Sequence, residues 1–378
     1  MAAGLKEFST KSSEIFRRID PVILFCVLGM NLMSIVTLAG ASDAYGTWYV
    51  RMQIIASGLG LAAMFFLAFV DYDALIQKMK YVFFAASIIL ILWVKFFGTG
   101  TYGNENWITF PGTDFSIQPT EFVKITFIIT FALHLAYLKE KINHPLSILQ
   151  LAGHAGLIIG MVLWQGDLGM ALVYVGLMVF MVFASGVSLW YFAGIGGAAV
   201  MASPLLWKFL SENQKNRILY GFNPDLDPLG VGMDAIRSRN CIIAGGFRGA
   251  GFSGGTRYKR FFAGQSDFIF SVLAEKFGFI GTFLYIVLLV TLVLRILWIA
   301  RHTRKTYASY ICVGIAGMLI AQSAENIGMC LAILPVVGIT LPFMSYGASS
   351  IISMYICMGV VQSICTHNKK YYFERESK

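Results

Sequence analysis

Between Pro21 and Gln362 the sequence is a succession of apolar stretches, each close to the roughly 20 residues that cross a bilayer, separated by short polar links. This pattern constrains the fold more than any motif does. Backbone placed in lipid must satisfy its own N–H and C=O groups, so the stretches are expected to be helices. Candidate spans lie at roughly 21–40, 50–70, 81–98, 119–138, 147–165, 168–186, 189–207, 268–298, 307–333 and 342–366. The eighth is too long for one straight span, and its first part is expected to be a loop or a half-buried entry. The expected fold class is an all-α polytopic membrane protein with about ten transmembrane helices and one long extracellular loop, 208–266, between the seventh and eighth. An N-terminal tail (1–20), a membrane domain (21–366) and a C-terminal tail (367–378) complete the expected organisation.

Composition and charge narrow the function classes. Hydrophobic residues make up 57% of the chain and charged residues 13%, against roughly a quarter charged in soluble domains. The net charge of +9 does not point to nucleic acid, because the basic residues sit in short clusters between apolar stretches, as in loops beside anionic lipid. Arg17 and Arg18, Lys78 and Lys80, Lys139 and Lys141, Arg301 to Lys305, and Lys369 to Lys378 all fall on one side by helix parity. That side is expected to be cytoplasmic, with both termini inside. The loop 208–266 falls outside although it carries about nine basic residues, since long loops escape the charge rule. Its turn signals, from Asn223-Pro224 to Gly254-Gly255, indicate an ordered, folded-back segment. The six cysteines are scattered without a disulfide or zinc spacing.

Ionisable groups at the ends of spans are costly and therefore functional candidates. Glu121 and Lys124, three apart on a helix entered at Pro119, form either a structural ion pair or the wall of a cavity for an anionic or sugar-bearing substrate. Asp267, at the entry of the eighth helix, is either an N-terminal cap or a carboxylate placed to act as general base or ligand to a divalent ion. Arg51 opens the second span. Trp107 reads as an interfacial anchor or a substrate platform, and Asp167 as a turn-closing residue or a site residue. The Pro-, Gly- and hydroxyl-rich run Leu334–Ser350 suits a cavity wall or a helix-packing surface.

Taken together and in this order, Gln118–Ile125, Asp267–Phe270 with Ala274-Glu275, and Leu334–Ser350 resemble the SEDS family, the shape, elongation, division and sporulation proteins that include RodA, FtsW and SpoVE. Asn223-Pro224, Asp227–Gly230 and Ala244–Phe252 resemble that family's long extracellular loop. The resemblance implies a peptidoglycan glycosyltransferase that polymerises lipid II at the outer face of the bacterial cytoplasmic membrane, with a class B penicillin-binding protein as partner. By position, Asp267 matches the acidic residue the family needs for activity, Glu121 and Lys124 its membrane-edge pair, and Arg51 and Trp107 further family positions. Asp267 is then expected to serve as base or to bind a divalent cation, Mg2+ or Mn2+, while Lys124, Arg51 and the loop residues Arg248 or Lys259 offset phosphate charge. No organic cofactor is implied.

The sequence departs from the family pattern at Asn104-Glu105-Asn106 before Trp107, at Gly166 in place of Pro, at Arg237 in place of Gln, at Lys276 in place of a second Glu, and at Ala348 in place of Gly. Two other classes compete. A transporter of lipid-linked precursor calls for charges near mid-membrane and paired halves, whereas the charged candidates here concentrate at the outer rim. A non-catalytic scaffold of a cell-wall complex would tolerate loss of Asp267.

Overall fold

The computed structural model describes residues 18–99, 106–109, 116–209, 212–230, 232–261 and 263–368. Asn104, Glu105 and the tail residues Arg17, Lys369 and Lys378 lie outside the described residues. Twelve helices are used below: α1 (Pro21–Gly40), α2 (Thr47–Phe69), α3 (Tyr72–Phe97), α4 (Pro119–Leu138), α5 (Pro145–Trp164), α6 (Leu168–Ala184), α7 (Leu189–Phe209), α8 (Glu212–Phe222), α9 (Met233–Gly245), α10 (Ile269–His302), α11 (Thr306–Cys330) and α12 (Ala348–His367). Eight of them are long and apolar enough to cross a membrane, and the apolar helices Leu168–Ala184 and Leu189–Leu205 are shorter. The chain is an integral membrane protein.

Local chemistry sets the helix ends. α1 starts at Asp20, whose Oδ1 accepts the amides of Val22 and Ile23 while Pro21 takes the first turn, where its missing N–H costs nothing. α3 begins nine residues before the expected span, because the Asp71 carboxylate caps Asp73 N–H and the backbone ladder continues through Lys78 and Lys80. The expected basic link 71–80 is therefore the polar extension of a helix. α12 starts at Ala348 instead of 342. Phe343 adopts a φ of 57°, and the Leu341 amide donates to Ser345 Oγ at 2.7 Å, so 341–347 forms a compact non-helical wall. α10 breaks as its length foretold: Gly278, at φ 62° and ψ −158°, separates a short entry helix from the long span. The long loop is built around α8 and α9, which are too polar to register as apolar stretches. The link before α4 carries a small antiparallel pair, β1 (Ile108–Thr109) and β2 (Ser116–Ile117).

Burial shows which helices form the centre. The apolar windows of α12, α11 and α4 are 89%, 72% and 67% buried inside the chain, against 17% for α3. The first three are therefore core helices, and α3 faces lipid. Close approach comes from small residues, as expected where lipid gives no hydrophobic drive between helices. A Cβ at Gly60 of α2 would lie 2.6 Å from the Tyr355 ring of α12. At the opposite end from the site described below, buried Asp20 receives Arg295 Nε and Nη2 at 2.8 and 2.6 Å, and its backbone amide donates to Gln362 Oε1 at 2.8 Å. This knot joins α1, α10 and α12.

Candidate active site

A cavity of about 990 Å³ opens where the first turns of α2, α4, α6, α10 and α12 converge. Trp48 and Tyr49 come from α2, Gln118 and Glu121 from the start of α4, Asp167 and Met170 from the start of α6, Phe268 from the cap of α10, and Ser349 from α12. The helix N-termini of α2, α4, α10 and α12 have no side-chain cap, whereas Asp167 caps α6 by accepting Met170 N–H at 2.9 Å. Uncapped N-termini carry the positive ends of helix dipoles and unpaired amide donors, which favour an anion. Among the described residues the lining includes no Lys or Arg, and its carboxyl groups are those of Glu121, Asp167, Asp234 and Asp267. The helix N-termini are thus the wall's source of positive partial charge, set against these carboxyl groups.

Asp267 sits on the wall with its backbone fixed from two directions. Its amide donates to Ala263 O at 3.0 Å, and its carbonyl accepts Asn326 Nδ2 at 2.8 Å. Asn326 also donates to Ile339 O at 2.6 Å, so α11 holds the Asp267 segment and the 334–347 wall in one register. The neighbouring wall is tied in as well, through Tyr346 N–H to Gln265 O at 2.9 Å and Ser345 Oγ to Ser266 O at 2.6 Å. Burial raises the Asp267 carboxyl to about 6, with a hydrogen bond to Ser266 opposing the shift. A carboxylate poised near neutrality, able to take up a proton in a cavity, is suited to general-base work.

Glu121 and Lys124 are the buried pair that their spacing allowed, with Nζ to Oε2 at 2.8 Å. Glu121 faces the cavity, while Lys124 lies behind it and donates to Gln322 Oε1 at 3.1 Å. Gln322 passes the connection on to Thr340, donating to both its carbonyl and its hydroxyl, and Ser353 Oγ donates to Glu121 Oε2 at 3.0 Å. The pair pins α4 to α11 and α12, and its Glu121 carboxylate borders the cavity. Asp167, too, both caps a helix and lines the cavity, held by the amides of Asn106 and Gln118 at 3.1 Å each. Burial pushes its carboxyl upward as well.

The remaining sequence candidates divide. Trp107 lines the cavity at 37% exposure, next to Asn106. Arg51 is exposed on α2 and Arg248 is exposed after α9, and neither lines the cavity. Lys259 is engaged elsewhere, 2.6 Å from Asp43 Oδ2. Gln322, Asn326, Ser353 and Asp234 were not singled out in the sequence. Gln322 and Asn326 carried a readable signal, being polar residues one helical turn apart inside an apolar span; Ser353 and Asp234 carried none.

The family model of the FtsW, RodA and SpoVE cell cycle proteins matches residues 18–370. The chain belongs to this family. Among its relatives, the peptidoglycan glycosyltransferase MrdB of Escherichia coli (strain K12) is 32% identical over 359 residues, covering 93% of this chain and 94% of that protein. Stage V sporulation protein E of Bacillus subtilis (strain 168) is 32% identical over 374 residues, with 93% and 99% covered. Among solved structures, a chain of a peptidoglycan synthase complex that coordinates polymerization and crosslinking superposes with a TM-score of 0.81 at 27% identity, covering 93% of this chain and 99% of that one. The rod shape determining protein RodA of Thermus thermophilus gives a TM-score of 0.70 at 25% identity, with 93% and 98% covered. The FtsW/RodA/SpoVE fold thus extends over nearly the whole chain, including the elements that build the cavity.

Proposed function

We propose that the protein is a peptidoglycan glycosyltransferase that polymerises lipid II into glycan strands at the outer face of the bacterial cytoplasmic membrane, in cell elongation, division or sporulation. The observation that carries this reading is Asp267, a half-buried carboxylate on the wall of a cavity toward which uncapped helix N-termini converge. The termini and the tips of the basic links face the cytoplasm in this reading, and the cavity faces out beneath the long loop.

In the reaction the C4 hydroxyl of an incoming lipid II attacks C1 of the growing strand. The C1–O bond to pyrophosphate breaks, undecaprenyl pyrophosphate departs with the bonding pair, and the hydroxyl proton passes to the Asp267 carboxylate. Charge developing on the pyrophosphate meets the amide-rich helix N-termini. Lys124 acts through Glu121, pairing with that carboxylate and orienting it at the cavity edge. Trp107 offers an aromatic face to the saccharide. Arg51 and Arg248 act before substrate enters the cavity, by drawing an anionic headgroup toward the membrane surface, whereas Lys259 is engaged with Asp43.

No group of three or more His, Cys, Asp or Glu side chains that could hold a metal occurs among the described residues. Were a divalent ion, Mg2+ or Mn2+, to take part, Asp267 would be the residue to hold it, in place of its role as base. Bound there, such an ion would supply charge neutralisation at the pyrophosphate. A class B penicillin-binding protein as partner is supported by the likeness to a chain of a peptidoglycan synthase complex.

The test is polymerisation of fluorescent lipid II by purified protein, with and without a class B penicillin-binding protein. Glycan ladders are the expected product. Lipid II translocation in liposomes with no polymer under any condition would replace this reading by a transporter.

A further inference from the structure

The long loop is fastened at two places that the reaction itself does not use, and both act on the segment that leads into Asp267. On one side stand Glu275 and Lys276, in the entry helix of α10. Glu275 accepts the amides of Thr256, Arg257 and Tyr258 at 3.0, 2.9 and 2.7 Å and the Cys241 thiol at 3.0 Å. Lys276, at a position where the family resemblance led one to expect Glu, is fully buried; its Nζ donates to Phe252 O and Gly254 O at 3.0 and 3.2 Å and lies 4.3 Å from the centre of the Tyr258 ring. On the other side stands the helical turn Ser42–Tyr45, in the link between α1 and α2. Asp43 accepts the Tyr258 hydroxyl on Oδ1 at 2.6 Å and pairs with Lys259 through Oδ2 at 2.6 Å. Tyr45 donates its hydroxyl to Tyr258 O at 2.6 Å.

Tyr258 is thus held by its amide, its carbonyl, its ring face and its hydroxyl at once. From it the restraint runs directly to the cavity wall. A Cβ on Gly264 would fall 1.8 Å from the Tyr45 hydroxyl, so this turn also braces the chain three residues before Asp267. Phe261 stacks on Phe268 at 5.1 Å with an interplanar angle of 10°, joining the latched segment to the residue that follows Asp267.

We propose that Asp43 and Tyr45 are positioning residues for polymerisation: by latching Tyr258 and Lys259 to the α1–α2 link, they fix the segment that carries Asp267 at its reacting position. This rests on the reading of Asp267 as the base. Asp43 stays ionised throughout the neutral range, its carboxyl held down at about 2 by hydrogen bonds from Lys259 and then Tyr258. The latch is accordingly an ionic and hydrogen-bonded contact made outside the cavity, and Asp43 and Tyr45 do not line it.

The test compares Asp43→Ala, Tyr258→Phe and the exchange Asp43→Lys with Lys259→Asp, in full-length protein assayed with its partner on fluorescent lipid II. Small displacements of a reacting group cost large factors in rate, so kcat is expected to fall about tenfold or more in Asp43→Ala, with KM changed less than about twofold. Tyr258→Phe, which keeps the packing, is expected to lie between that variant and the parent. The charge exchange is expected to recover much of the loss, since an ammonium at position 43 can donate to the Tyr258 oxygen and pair with a carboxylate at 259. Hydrogen exchange across 256–268 is expected to quicken in Asp43→Ala and to slow again in the exchange. An unchanged kcat in Asp43→Ala, a change confined to KM, or loss of kcat without quicker exchange overturns the proposal. Asp267→Asn is run beside these: if it polymerises at the parent rate, the reading of Asp267 fails, whereas a dead Asp267→Asn beside a fully active Asp43→Ala removes the latch alone.

Discussion

Removing the Lys124 ammonium while keeping its volume, as Lys124→Met, isolates the electrostatic role of the buried pair. The two charges lie 2.8 Å apart, with side chains 0% and 2% exposed. Without Lys124, Glu121 keeps the Ser353 hydroxyl as its hydrogen-bond partner and is left as a buried carboxylate without a counter-charge. Breaking a buried pair on one side costs about 3–5 kcal/mol, whereas replacing both members with neutral groups of similar size is close to neutral. Glu121→Gln combined with Lys124→Met is therefore expected to return to within about 1 kcal/mol of the parent. The assay is reversible unfolding of parent, both single variants and the double variant in one detergent, closed as a double-mutant cycle. The double variant is also expected to fold yet polymerise poorly, because Glu121 faces the cavity. Lys124→Met as stable as the parent, or a double variant no more stable than that single one, refutes the reasoning.

Three further outcomes are expected. Polymerisation should rise with pH through about 6, where Asp267 ionises, when followed by initial rates in matched buffers; because burial raises this carboxyl above its ordinary value, its contribution to stability is full below about 4 and is lost as pH climbs through 6, and Asp267→Asn should abolish that slope. Gly278→Ala should destabilise the protein by about 1–3 kcal/mol or more, read by unfolding in detergent, since the backbone conformation at φ 62° is unfavourable for a side chain and a Cβ would lie 2.4 Å from Gly249 N. Chelation with EDTA should lower turnover, and Mg2+ or Mn2+ should restore it, as measured by ladder formation.

The membrane fold was legible wherever a span is uniformly apolar and carries its own start signal. α4 runs over the expected residues because Pro119 marks its first turn. α3 was misjudged at its start because hydropathy follows lipid contact, while the hydrogen-bond ladder continues through the polar residues after Asp71. α12 was placed too early because 342–347 is apolar enough to pass for helix; the left-handed Phe343 and the Ser345 turn that prevent it depend on contacts with 265–266, far away in sequence. In the site, Glu121, Lys124, Asp267 and Trp107 stood out as charged or aromatic groups at span ends. The polar residues that support them were harder to see. Asn326 acts on the backbone of Asp267 and of Ile339, a role that leaves no local motif. The basic loop was visible as charge, but that Lys259 is spent on Asp43 depends on the pairing of two links that the sequence keeps far apart.

The most direct test of the account is a single-turnover measurement on Asp267→Asn, first shown to bind fluorescent lipid II as the parent does. The account predicts release of undecaprenyl pyrophosphate slowed by about 10²–10⁴-fold, the usual contribution of a positioned base. Release at the parent rate from a folded, substrate-bound Asp267→Asn would contradict it.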